Sequence, residues 1–167
     1  IGHDALYSST SNQYCTAVGR WALRYTTSGD YNTALGHGAL YTNTSGSGNT
    51  AIGSGSMNLN TTGAQCVAVG RRALKNQTNA QNNTAVGHQA GTSTTTGHSN
   101  TWIGHDSVST SATANYECTL GRASTTNLRC NDTSISSLSD QRDKAEITDL
   151  PDTAGLDLIN KLRPVTY

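Results

Sequence analysis

Two groups of residues in this chain are of types that do chemistry. Four histidines, His3, His37, His88 and His105, each stand directly after a glycine, and imidazoles repeated at one structural position are what a metal site would need. Further on, Ser139, Asp140, Arg142 and Lys144 fall within a span of six residues. Ser139 can be a nucleophile, and Lys144, desolvated or set beside Arg142, a base of lowered pKa. A hydroxyl attacking the carbonyl of its own residue would form a four-membered ring, so Ser139 is a poor attacker of its own peptide bond. A serine from a neighbouring chain, the Asp140 carboxylate closing a six-membered ring on the Ser139 carbonyl, or an activated water are each easier. On residue type alone, Asp140, Arg142 and Lys144 also read as solvated charges at the entry to a helix.

The glycines before the histidines belong to a longer series. Gly2, Gly19, Gly36, Gly53, Gly70, Gly87, Gly104 and Gly121 recur every 17 residues without insertion or deletion. An aliphatic residue precedes each, from Ile1 and Val18 to Ile103 and Leu120. One position earlier stands Ala17, Ala34, Ala51, Ala68 or Ala85, replaced late in the series by Trp102 and Thr119. Leu6, Leu23, Leu40, Met57 and Leu74 lie four after the anchor, a pattern that stops at Gly91. A second small position falls seven before it, at Gly29, Gly46, Gly63 and Gly97.

A fixed short period means one supersecondary unit per repeat, stacked because no unit buries its apolar face alone. A 17-residue unit is too short for a helix pair with loops, and Thr, Val, Asn and Gly replace the helix formers. The expectation is an all-β chain: a β-solenoid or β-roll of 17-residue coils over residues 1–125. In each coil an "NTAVG" strand turns at the glycine, a short "xALY" segment follows, and a polar loop closes the circuit. The aliphatic residue before the glycine is expected to fill the thin core. At a strand spacing of roughly 4.8 Å the anchors span about 34 Å. Only 13% of residues are charged and 5% aromatic, with no Phe, so a large conventional core is not expected; zero formal net charge argues against disorder. So slender a coil gains a filled core by packing copies around an axis, and a homotrimeric fibre is the expected form.

The anchor-plus-one position reads His3, Arg20, His37, Ser54, Arg71, His88, His105, Arg122. Arginines in the series oppose a bound cation within about 5 to 10 Å, so polar residues lining a seam are the first reading and no metal is expected. The alternative places His88 and His105 of three chains at a common axis, holding a metal or an anion. Cys15 and Cys66 share a repeat position three coils apart, roughly 14 Å, and cannot bridge; free, small, buried cysteines are expected. Residues 126–139 form a transition. From residue 140 to 167 charges concentrate and Leu156, Ile159 and Leu162 take helical spacing between an Asp152 cap and Pro164, a short α-containing segment.

The "NTAVGHQA" and "NTALGHGALYTNTSGSGNTAIG" pattern resembles the head repeats of trimeric autotransporter adhesins and, more closely, the longer repeats of viral and phage tail fibres. The segment Ser139-Asp140, Arg142 and Lys144, with "GLDLINKLRPVTY" after it, resembles the start of the endosialidase-type intramolecular chaperone, a self-cleaving C-terminal domain of phage tail spikes and fibres. Asp143 departs from that pattern, and Tyr167 falls short of a complete domain. The resemblance implies a chaperone that promotes trimerisation and is released by autocleavage between Ser139 and Asp140, with Ser139, Asp140, Arg142 and Lys144 as the catalytic candidates. It implies a virion-tail protein assembled in the host cytoplasm, whose partners are other tail proteins and a host receptor such as a glycan. No cofactor, nucleic acid or membrane insertion is expected, nor any turnover enzyme. A bacterial trimeric adhesin head without proteolysis is the competing reading.

Overall fold

The structure is a computed structural model and describes residues 1–126. The chain divides into two units, Ile1–Asn127 and Leu128–Tyr167. The expected helical segment, with Asp152 and Pro164, lies outside the described residues.

The first unit is a parallel β-solenoid. Its strands are β1 (Thr16–Val18), β2 (Thr33–Leu35), β3 (Thr50–Ile52), β4 (Val67–Val69), β5 (Thr84–Val86), β6 (Thr101–Ile103) and β7 (Cys118–Leu120), hydrogen-bonded in sequence order into one sheet. Every pairing is parallel, as in Thr16 with Thr33 and Val69 with Val86, and the register of the 17-residue repeat never shifts. The rest of the coil is the connection that parallel strands require. Coil-to-coil hydrogen bonds continue around the perimeter. Leu23 N–H donates to the Ala39 carbonyl at 3.0 Å, and the loop donates from Thr27 to Thr44 and from Thr44 to Thr61, each at 2.9 Å.

The core differs from the expectation in one respect. Ala17, Ala34, Ala51, Ala68 and Ala85 point inward and are buried, whereas the aliphatic residues after them point outward; Leu35 is 46% exposed and Ile103 48%. A three-residue strand alternates, so its middle side chain faces the interior and the two flanking ones do not. The opposite wall supplies the volume. Leu23, Leu40, Met57 and Leu74 are fully buried, and with φ between 47° and 51° they lie in the left-handed region, so the "xALY" segment is a turn and not a second strand. Burial of a large side chain offsets that backbone conformation.

The anchor glycine is required by close approach as well as by conformation. Gly36 has φ 136°, and a Cβ there would lie 2.7 Å from the carbonyl atoms of Gly53 in the next coil.

Buried amides line the interior. Asn32, Asn49, Asn83 and Asn100 each donate Nδ2–H to a loop carbonyl, Gly46, Gly63, Gly97 and Ala114, at 2.7–2.8 Å. Their Oδ1 atoms accept from the backbone N–H groups of Asn49, Cys66, Asn100 and Glu117 in the following coils. Each buried amide thus ties three points together, with its oxygen and at least one of its N–H groups paired.

Where the repeat departs, two positions depart together. Cys66 takes the place of the first asparagine, and in the same coil Gln77 takes the place of a second one, represented by Asn43 and Asn60. The longer amide reaches the shorter thiol: Gln77 Nε2 lies 3.2 Å from Cys66 Sγ, and Gln77 Oε1 accepts from Asn83 Nδ2 at 2.9 Å. Likewise Gly91 stands at the leucine position and Trp102 at the alanine position. The indole fills the space a leucine would hold, since a Cβ on Gly91 would meet Trp102 Cε3 at 2.8 Å. The loss of pattern at Gly91 is therefore a repacking and not the end of the fold.

Candidate assembly face

Alternation along β1–β7 creates an outward sheet face. One line of it carries Val18, Leu35, Ile52, Val69, Val86, Ile103 and Leu120; the other carries threonine, apart from Val67 and Cys118. Six parallel pairings join these rungs in constant register, giving an uninterrupted apolar stripe about 29 Å long. Nothing charged enters either line. Contiguous exposed apolar surface of this kind marks an interaction site in a soluble protein.

The anchor-plus-one residues form a polar line beside this face. His88 and His105 stack with centroids 5.1 Å apart and planes 10° from parallel. The stack extends at both ends. Arg71 Nη1 lies 3.4 Å from His88 Nε2, so the guanidinium donates to the imidazole, and His105 Nε2 lies 3.2 Å from an Asp106 carboxylate oxygen. Potential ligand atoms of His88, His105 and Asp106 lie within 4.8 Å of one another. The anchor-plus-one series points to the two histidines and leaves out Asp106, whose signal in the sequence is the repeated "GHD" of Gly2-His3-Asp4 and Gly104-His105-Asp106. His3 pairs with Asp4 in the same way at 3.3 Å. His37 instead packs against Trp21, with centroids 5.2 Å apart. The group can hydrogen-bond across a seam, and Arg71 on the His88 nitrogen disfavours a cation there.

The cysteines are less uniform than expected. Cys15, Cys66 and Cys118 are free; Cys66 is buried, Cys15 only half-buried, and Cys118 exposed on the outward face of β7. The expectation of burial fails for Cys118 because it is the first residue of a strand and points outward. Burial pushes the Cys66 thiol above its ordinary range, against the smaller opposing effect of hydrogen bonds from Asn83 and Gln77.

Ser139, Asp140, Arg142 and Lys144 lie outside the described residues. Among the described residues no helix is long and apolar enough to cross a membrane.

Comparison with known families finds one match. The family model described as chaperone of endosialidase, a peptidase family, matches residues 139–167. No curated protein and no solved structure matches the chain.

Proposed function

We propose that this chain is part of a viral or phage tail fibre: a homotrimeric β-solenoid shaft followed by a chaperone that aligns the three chains and is then released by cleavage between Ser139 and Asp140. One juxtaposition carries the reading. A β-solenoid with an apolar outward face stands in the same chain as a match to the chaperone of endosialidase. The outward face gives each copy a reason to associate, since burying it against two others removes Leu35, Ile52, Val86 and Ile103 from water. Identical coils also permit slips by whole repeats, and long-range β-assembly is slow. A chaperone that sets the alignment removes the slips, and its release leaves the trimer kinetically trapped.

In this reading Lys144 and Arg142 lower the barrier to attack on the Ser139 carbonyl, and a group supplied across chains couples cleavage to assembly. The solenoid serves in host attachment on the virion tail, with other tail proteins as neighbours. The test is expression of the chain extended through a complete chaperone domain, with and without Ser139→Ala, followed by light scattering and mass spectrometry. A trimer with a new N-terminus at Asp140, lost in the variant, supports the proposal; an extended protein that stays monomeric and uncleaved overturns it.

A further inference from the structure

The first three coils carry surface chemistry that neither the apolar face nor the histidine line uses. Two lines of side chains run side by side there. Asp4, Trp21 and Gly38 share one repeat position, and Tyr7, Arg24 and Tyr41 another. The Arg24 guanidinium lies 5.6 Å from the Trp21 ring and 5.7 Å from that of Tyr7, and Asp4 holds it by an ion pair at 3.2 Å. Tyr25 meets Tyr41 edge to face at 5.0 Å. Arg20 lies over the Trp21 ring at 4.0 Å, is exposed, and forms no ion pair with any of the described residues.

Core packing alone does not account for Trp21. Its φ of 63° lies in the left-handed region, as do those of Asp4, Arg72, Gln89 and Asp106 at the same repeat position, and no other described copy of that position is aromatic. It is only half-buried, so it gains less than the fully buried leucines at the other left-handed position. Among the described residues its Nε1–H finds no acceptor, as is also true of the Arg24 Nε–H and of the core indole of Trp102. What distinguishes Trp21 is its setting, a half-buried indole between two guanidiniums and beside the Tyr41 ring, on the surface and not in the core.

We infer that this patch binds an acidic saccharide. Tyr7, 69% exposed, and Tyr25, 39% exposed, offer rigid aromatic surface against which the C–H face of a sugar ring packs. Arg20 supplies a forked donor for a sugar carboxylate. Asp4 pairs with Arg24, and the exposed Arg20 over Trp21 has no acidic partner among the described residues, so Arg20 leaves the patch a positive charge that selects an anionic sugar over a neutral one. The assignment rests on the attachment reading only for its biological setting, and binding is measured separately from oligomeric state.

The chain itself provides the probe. Its other tryptophan, Trp102, is fully buried, so a change in emission on adding ligand reports Trp21. The full chain is titrated with a panel of uronic-acid oligosaccharides, including hyaluronan hexasaccharide, and with neutral chitooligosaccharides of equal length. Saturable binding of an acidic member, absent for the neutral ones, is expected, and Arg20→Ala lowers its affinity at least tenfold. Trp21→Gly, read by calorimetry, loses binding without lowering the melting temperature, because glycine suits that backbone. Absence of acidic binding, preference for the neutral series, or a large fall in melting temperature in Trp21→Gly overturns the inference. Loss of the trimer with binding intact would count against the fibre reading alone.

Discussion

Cys66 and Gln77 depart from the repeat together, as do Gly91 and Trp102, whereas the outward stripe passes from Val18 to Leu35 to Ile52 while Ala17, Ala34 and Ala51 beneath it stay constant. The interior is a closed volume in which a shorter side chain must be met by a longer one. On the outward face size varies freely and polarity does not: every residue of the stripe is Val, Leu or Ile. Among the described residues nothing of fixed shape covers this stripe, which is what the proposed association of copies requires.

Substitutions at the closest approach should break the interior most severely. Gly36→Ala forces a Cβ to 2.7 Å from the next coil's backbone at a φ that only glycine accepts, and a loss of about 3 kcal/mol or more is expected in chemical denaturation. Trp102→Ala should cost about 3–5 kcal/mol by opening a cavity. Adding Gly91→Leu should then recover about 1–3 kcal/mol, although Gly91→Leu alone destabilises by overpacking; additive effects would refute the compensation. Cys66→Asn and Gln77→Asn should each lose about 1–2 kcal/mol and together return a regular coil, read from the same chemical denaturation. Smallest for the coil itself, within about 0.5 kcal/mol, is the change of Leu35, Ile52 and Val86 to threonine, which keeps strand propensity. Light scattering should nevertheless show the assembly dissociating; an intact oligomer would mean that this face is not the interface.

The coil and its register could be read directly, because Gly2 to Gly121 recur without a single insertion. The direction of the aliphatic residues could not. "TAV" alternates either way, and the choice is made by the wall opposite, where Leu40 and Met57 already fill the interior and leave room only for alanine. The amide ladder was hidden for a different reason. Asparagine in a Gly- and Thr-rich stretch reads as a turn residue, and only its fixed place at Asn32, Asn49, Asn83 and Asn100 distinguishes a buried strut from a loop. The sequence therefore puts the apolar stripe on the wrong side of the strand, and the anchor-plus-one series alone leaves Asp106 out of the histidine line.

The same geometry has a mechanical side. The covalent chain runs around the coil, while bonds such as Thr27 to Thr44 and Thr44 to Thr61 run from one coil to the next. Tension along the stack is therefore borne by hydrogen bonds and core contacts, and the peptide backbone is loaded only after a coil peels away. Each peeled coil frees 17 residues, or about 55 Å of extended chain in place of a rise of about 4.8 Å. Single-molecule stretching should register steps of that size. Each coil would then act as stored slack, absorbing a sudden pull through bonds that can reform.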